Sequence, residues 1–162
     1  MPIAPKLRHY LEDQRADYEV IEHMPTKSAM QSAAVCHIPA GRLAKGVLLD
    51  TGGDYLLAVI PADHKLQLGD LKAELGQRPH LVGEEKLERV FNDCAMGAVP
   101  PLGSGYGVAT IIDDSIEAGG ERDVYFEAGD HASLIRMSGH EFARLAEPAS
   151  HGRFSAHWSM IE

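Results

Sequence analysis

Cysteine, aromatic residues and long apolar runs are all scarce in this chain. The two cysteines, Cys36 and Cys94, form no Cys-x-x-Cys pair, and aromatic residues make up 6%. The longest apolar run, residues 55–60, stops at Pro61 and is far shorter than the ~20 residues of a spanning helix. The first residues carry charge early and contain no apolar core of a signal peptide, so we expect a cytoplasmic protein with reduced thiols.

An excess of positive charge is also missing. The formal net charge is −9, which argues against a nonspecific nucleic-acid binder and gives no reason to expect DNA as a partner. Residues 1–81 hold 9 basic against 10 acidic side chains, whereas residues 82–162 hold 6 against 14. An anionic partner would therefore meet the N-terminal half, unless the acidic half is only a solvated surface. The cations of interest in that half are Lys6, Arg8, Arg15, Lys27, Arg42, Lys45, Lys65 and Lys72.

The length and composition fit one ordinary globular domain. The chain has 162 residues, of which 44% are hydrophobic and 24% charged. No repeat or long linker interrupts residues 1–148, which we predict to form the domain. Residues 149–162 form a polar tail in which Phe154 and Trp158 are isolated aromatics; it either frays or docks them.

Periodicity and turn signals predict hairpins with intervening helices rather than a regular βα alternation. Gly52-Gly53 joins two β-rich runs, and Ser138 with Glu141 forms a capping box before a helix. This order predicts an α+β fold with one large mixed sheet flanked by helices. Predicted helices cover 6–16, 26–37 with Thr26 or Ser28 as N-cap, 70–75, 84–91 and 139–146; predicted strands cover 18–23, 44–51, 54–62, 79–82, 107–113, 122–128 and 131–137.

Common catalytic motifs are absent from the sequence. The His140-Glu141 pair is followed by Arg144 where a zincin helix needs its second histidine, so we expect no metal site. The glycines of residues 103–107 lack dinucleotide-loop spacing, and there is neither a P-loop nor a G-x-S-x-G elbow. Cys94 is either a nucleophile or a small buried hydrophobe.

Two features stand out against this background. Lys45 lies between Ala44 and Gly46 at the start of an apolar run, a position typical of a lysine on a strand edge. The turn Gly97-Ala98-Val99-Pro100-Pro101 contains consecutive prolines, which fix φ and remove donors, so its remaining amides are few and rigidly placed. A rigid turn with free amides can form an oxyanion pocket, but the same residues are equally typical of a tight turn with a structural role only.

Taken together, these segments resemble the YbaK-type family of free-standing aminoacyl-tRNA deacylases, relatives of the editing domain in bacterial prolyl-tRNA synthetases. The resemblance covers residues 18–146 and rests on A-K-G-V-L-L, L-L-A-V-I-P, G-x-x-x-P-L-G, V-Y-F-E-A-G-D-H and the final capped helix. It implies a partly barrel-like sheet. The family's lysine corresponds to Lys45, its glycine and proline to Gly97 and Pro101, and a pocket histidine of some subgroups to His131.

The resemblance implies hydrolysis of the ester that joins a wrong amino acid to the terminal adenosine of a tRNA. Backbone amides of Gly97, Ala98 and Val99, in the turn ending at Pro101, would stabilise the oxyanion. Lys45 would orient the substrate end, and a ribose hydroxyl would assist the water. No cofactor and no metal are implied.

Pocket size would select the amino acid, since one methylene is worth only ~1–3 kcal/mol. Candidate wall residues are Ile21, Met30 and Val47, while Gly46 departs from the Asn or Thr of some members. We expect a trans-editing enzyme that acts on the 3′ end of tRNA-Pro or a related tRNA, with a synthetase as a further partner. Alternatives are a noncatalytic tRNA-end or synthetase-binding module of the same fold, or a small-ligand regulatory protein.

Overall fold

A computed structural model describes residues 3–95 and 97–160, excluding the side chain of residue 160. The helices are α1 (Pro5–Asp13), α2 (Ala29–Val35), α3 (Leu68–Leu75), α4 (Glu84–Val90) and α5 (Gly139–Ala146). The strands are β1 (Glu19–Glu22), β2 (Leu43–Asp50), β3 (Tyr55–Pro61), β4 (His64–Leu66), β5 (His80–Leu81), β6 (Ala109–Asp113), β7 (Asp123–Glu127), β8 (Ser133–Ser138), β9 (Ala149–Gly152) and β10 (Ser155–His157).

The main sheet is mixed, as the sequence predicts. Its strand order is β1-β8-β7-β2-β3-β6-β9, and β5 pairs with the far end of β2. Neighbouring strands are antiparallel in β1/β8, β8/β7 and β2/β3, and parallel in β7/β2, β3/β6 and β6/β9. Strands β4 and β10 form a separate antiparallel ribbon. The α+β fold with one large mixed sheet is therefore confirmed.

Local signals place most elements within a few residues. The Gly52-Gly53 turn connects β2 to β3, and both glycines have positive φ. The Ser138 side chain accepts a hydrogen bond from Glu141 N–H and so begins α5. The predicted helix over 26–37 is shorter than expected, because Ser28 is the N-cap and Cys36 already ends α2.

The C-terminal segment docks rather than frays. Strand β9 adds to the main sheet beside β6, and β10 pairs with β4. Phe154 is fully buried, and its N–H donates to the buried Asp113 carboxylate at 2.8 Å. Strands β4, β9 and β10 give no apolar alternation in the sequence, and were not predicted.

The two faces of the sheet are buried differently. On one face α1, α4 and α5 pack over one continuous apolar cluster that includes Leu7, Phe126 and Phe142. On the other face there are two smaller clusters, one under α2 and one under α3. In the described residues, no helix has the length and apolarity that crossing a bilayer requires.

Candidate functional site

Lys45 lies in an interior strand, not on a sheet edge as its sequence context indicates. Strand β2 pairs with β3 along nearly its whole length and with β7 at Leu43 and Ala44. Lys45 shares a face of β2 with Leu43 and Val47, because side chains alternate along a strand. Leu43 belongs to the cluster under α2 and Val47 packs against the cluster under α3, so the lysine stands between the two.

The surroundings of the Lys45 ammonium are only partly polar. Its Nζ donates to the Ala62 carbonyl at 3.4 Å and lies 5.8 Å from the centroid of the Trp158 ring. Burial lowers the pKa of Lys45 below its ordinary value, and the nearby Asp63 carboxylate works against that shift. Partial desolvation strengthens the interaction of such a cation with an incoming anion.

Strands β2 and β7 diverge next to this lysine. Their parallel ladder pairs Leu43 with Tyr125 and Ala44 with Phe126, and ends there. The next residue of β2 is Lys45 and the next of β7 is Glu127. The ladder between the two strands is therefore interrupted at the position of both charged residues, and we call this interruption the gap between β2 and β7.

Glu127 is the most deeply buried charge at this gap, with only 2% of the residue exposed. Its Oε2 lies 3.2 Å from Nδ1 of His131, a charge contact rather than an aligned hydrogen bond. Burial raises the pKa of Glu127 above its usual range, although the Ser32 hydroxyl and a protonated His131 oppose the shift. A buried carboxylate of this kind orients the imidazole that it touches.

The opposite edge of the His131 ring faces the proline-containing turn. A Cβ placed on Gly97 would lie 3.3 Å from His131 Nε2, so this glycine lets the turn approach the imidazole closely. Gly97 also has φ +79°, a conformation that favours glycine, and its surface is exposed. The structure thus joins Gly97, His131 and Glu127, which are distant in the sequence.

The remaining residues of the turn lie beneath Gly97 and are buried. Val99 packs into the continuous apolar cluster, and Pro101 is buried as well. The Ala98 N–H donates to the Ala95 carbonyl at 3.1 Å, so this amide is already used within the turn. The expectation of a free donor at Ala98 therefore needs correction, because the turn closes on it.

The loop before α2 covers the same region. Thr26 N–H donates to the His131 carbonyl at 3.0 Å, and Thr26 Oγ1 lies 2.6 Å from Ser32 Oγ. Both Ser32 and Glu127 are buried, and the Ser32 hydroxyl is close enough to lower the pKa of Glu127, so α2 lies over the charged pair. The α2 region therefore forms one wall of the gap.

The predicted wall residues do not all meet. Ile21 and Met30 pack against the cluster under α2, whereas Val47 packs against the cluster under α3, on the other side of Lys45. A Cβ on Gly46 would point to the opposite face, 2.9 Å from Leu57 Cδ1. The departure from the family pattern at Gly46 therefore concerns the apolar core and not the Lys45 face.

Cys94 has the surroundings of a structural thiol. Its Sγ lies 3.4 Å from both Asp93 Oδ1 and the Tyr106 hydroxyl. The pKa of Cys94 is raised to about 12, chiefly by burial and with a contribution from Asp93, while the Tyr106 hydroxyl opposes the shift. Since the thiolate is the nucleophile, a thiol that remains protonated at neutral pH is poorly suited to attack.

Other residues near the gap carry no motif. Asp63 Oδ2 lies 3.2 Å from His157 Nε2, and Trp158 N–H donates to the Asp63 carbonyl at 3.1 Å. Sequence reasoning missed these residues together with Glu127. An acid within the apolar run V-Y-F-E-A, and the single tryptophan in a polar tail, were the only available signals.

Neither a metal-ligand cluster nor a comparable buried charge pair stands out elsewhere in the described part of the chain. Within the described part of the chain, no three His, Cys, Asp or Glu side chains converge as a metal site would require. A cavity of about 650 Å³ lies at the far end of β2, lined by residues that include Asp50, Leu81 and Lys86. It is open and carries no buried charge pair like that of Glu127 and His131.

Solved structures share this fold at low sequence identity. A candidate trans-editing enzyme for prolyl tRNA synthetase aligns with TM-score 0.81 and 20% identity over 96% of this chain and 98% of its own. A scaffold used for computational epitope grafting has TM-score 0.81 and 19% identity, over 96% and 98%. A candidate signal transduction protein from Marinobacter aquaeolei VT8 has TM-score 0.76 and 22% identity; the match covers 97% of this chain and 32% of that protein.

None of the curated proteins compared with this chain matches it. The family model for the aminoacyl-tRNA editing domain, however, matches residues 23–145. That range contains Lys45, the Gly97 turn and the Glu127–His131 pair, so the match includes the whole gap between β2 and β7. The chain belongs to the aminoacyl-tRNA editing domain family.

Proposed function

We propose that this protein is a trans-acting aminoacyl-tRNA deacylase that hydrolyses the ester of a small wrong amino acid on tRNA-Pro or a related tRNA. The observation that carries the proposal is the contact of the Gly97 turn with His131, beside the gap that Lys45 borders. The family match supports editing, and the neighbour named for prolyl tRNA synthetase supports the choice of tRNA.

The ester is already activated, so the protein needs to position it rather than attack it. Gly97 is exposed at the surface of a turn with fixed φ, and its amide holds the developing oxyanion, an effect often worth ~10²–10³ in rate per donor. Val99 and Pro101 hold that turn rigid from below. His131 faces the same point with its Nε2 edge and contacts the substrate's aminoacyl group.

Lys45 binds the ribose-phosphate end of the substrate. Its ammonium is partly desolvated and donates to the Ala62 carbonyl at 3.4 Å. Contacts of this kind orient the ester and strengthen as water leaves the gap. Ile21 and Met30 line the amino acid's side of the gap, and Val47 lies beyond the lysine.

The tRNA approaches from the N-terminal half, where Lys27 and Lys65 are exposed close to the site. Arg42 does not take part, because its guanidinium is bonded to the Asp123 carbonyl at 2.9 Å and to Glu117. The small number of free cations gives weak and salt-sensitive binding, so recognition depends on the chain end or on a synthetase partner.

A panel of mischarged tRNAs tests the activity directly. The pure protein is incubated with each aminoacyl-tRNA, before and after dialysis against a strong chelator, and the residual ester is counted. We expect hydrolysis of at least one ester of a small amino acid on tRNA-Pro at a rate that the chelator leaves unchanged. Binding without hydrolysis would instead identify the noncatalytic module, and restoration by zinc would identify a metal enzyme.

Gly97→Ala tests the turn itself. We expect a loss of roughly 10²-fold in the single-turnover rate, because the new Cβ approaches His131 and strains the backbone. Gly52→Ala is the matched control, since Gly52 also has positive φ (+92°) but has no neighbour within 4 Å of a Cβ. Equal losses in the two variants would show that backbone strain alone, and not the site, explains the effect.

A further inference from the structure

Trp158 is an exposed aromatic ring placed directly beside Lys45. It is 45% exposed, although it is large and apolar, and it lies outside residues 23–145 that match the family. Lys45 Nζ lies over the ring at 5.8 Å from the centroid. The ammonium thus faces the indole ring, and nearly half of the residue remains accessible.

The backbone that carries this ring is fixed by the fold. Trp158 N–H donates to the Asp63 carbonyl, and the preceding strand β10 pairs with β4 through Ala156 and Lys65. Phe154, four residues earlier, is anchored in the cluster under α3. The backbone at Trp158 is therefore well fixed, yet nearly half of the residue stays exposed. Packing in the apolar core does not explain why a tryptophan is placed here.

The charges around the ring suit the end of a polynucleotide. Lys45 lies over the ring and Lys65 is exposed on the adjacent strand, while the imidazoles of His64 and His157 lie 3.9 and 3.2 Å from the Asp63 carboxylate. Cations beside an aromatic face are the arrangement by which proteins hold a single-stranded nucleotide, the ring stacking on the base and the cations meeting the phosphate. An apolar peptide would need no cations here.

We propose that Trp158 is the surface on which the terminal adenine of the tRNA stacks while Lys45 contacts the sugar-phosphate of the same nucleotide. This inference rests on the proposed function for the identity of the ligand. It adds a nucleobase site contributed by the C-terminal segment, which leaves the ester free to enter the gap between β2 and β7.

Fluorescence tests the stacking without any catalysis. Trp158 is the single tryptophan of the chain, so emission excited at 295 nm reports on this ring alone. We expect the trinucleotide CCA to quench the emission saturably, and the same trinucleotide with an abasic 3′ residue to quench it far less. N-acetyltryptophanamide corrects for absorption by the nucleotide. Equal or absent quenching by the two probes would overturn the proposal.

Combining Trp158 variants with a tRNA that lacks the terminal base tests the same contact during the reaction. Trp158→Ala should raise the half-saturating concentration of mischarged tRNA roughly five- to 150-fold, the range of one base stack, whereas Trp158→Phe should keep most of the affinity. With a terminal abasic nucleotide, wild type and Trp158→Ala should become equal. Leu81→Ala, which alters an exposed apolar residue at the other end of β2, is the control and should change nothing.

The two proposals fail in different ways. Quenching by CCA with no hydrolysis of any mischarged tRNA would keep the nucleobase site and overturn the deacylase. Hydrolysis by wild type with no selective quenching, or an equal effect of Trp158→Ala on both substrates, would overturn the nucleobase site alone. A Trp158→Ala protein that unfolds leaves the fluorescence measurement on wild type to decide.

Discussion

On one face of the sheet the buried side chains form a single apolar cluster, whereas on the other Lys45 separates two smaller ones. The continuous face contains Phe126 and Phe142, and three helices cover it. The divided face contains Glu127 and His131, which are buried at a cost in solvation. The comparison suggests that stability is concentrated on the first face and chemistry on the second, and it can be tested by substitution on each side.

Phe142→Ala should have the largest effect on stability. Removing this fully buried ring from α5 should lower the free energy of unfolding by about 3–5 kcal/mol, because the surrounding helices cannot fill the cavity. Urea denaturation measures the loss, and single-turnover deacylation per folded molecule should remain close to wild type. His140→Ala, an exposed position on the same helix, is the control and should stay within ~0.5 kcal/mol. A large loss of rate per folded molecule in Phe142→Ala would contradict the separation of the two faces.

Lys45→Met should reduce the deacylation rate strongly and the stability only slightly. A charged hydrogen bond is worth ~1.5–3 kcal/mol, which corresponds to a loss of roughly ten- to hundredfold in the single-turnover rate. The fold should lose little, since burial already disfavours the charged lysine and methionine fills a similar volume. Lys65→Met, at an exposed cation nearby, should reduce the rate much less. A normal rate in folded Lys45→Met would remove the lysine from the mechanism.

Glu127→Gln should alter stability in a pH-dependent way. The pKa of Glu127 is raised in the fold because the carboxyl is buried, so its favourable contribution is complete below the unfolded pKa and declines as pH rises through the folded pKa. We therefore expect Glu127→Gln to be more stable than wild type at pH 8, with the difference shrinking towards pH 4. Thermal unfolding across that range measures it, with the exposed Glu22→Gln as control. A wild type that is the more stable protein at pH 8 would show that the His131 contact outweighs burial.

Cys94→Ser should have the smallest effect of all. The raised pKa of Cys94, about 12, keeps the thiol protonated at neutral pH, so the substitution should leave the deacylation rate unchanged. Alkylation by iodoacetamide should be slow for the same reason. A dead Cys94→Ser protein together with an active Lys45→Met protein would establish a thiol mechanism and overturn the one proposed here.

Features controlled by neighbouring residues were predictable from sequence. Gly52-Gly53 indicates its hairpin, and Ser138 begins its helix, because turn and cap chemistry act within four residues. The family motif likewise pointed to Lys45 and Gly97. The motif does not indicate the strand order. Its context therefore predicts an edge position for Lys45, whereas β7 pairs with β2 immediately before this residue.

Features controlled by pairing between distant segments were not predictable. Glu127 acquires its importance from burial beside His131 and beneath α2, which no local pattern encodes. The C-terminal strands have polar sequences and form because β6 and β4 offer partners. The carboxylate of Asp113, which accepts from the Phe154 amide, contributes to that docking from 41 positions away.

The pairing of β1 with β8 also affects how the chain folds during synthesis. Glu19 is opposite Arg136, so an early strand finds its partner only after more than a hundred further residues. At ~5–20 residues per second, β1 emerges from the ribosome roughly 6 to 23 seconds before β8. The β2–β3 hairpin can form within that interval because its pairing is local, but the sheet cannot be completed. During those seconds the nascent chain presents unpaired strand edges, with which another chain can associate.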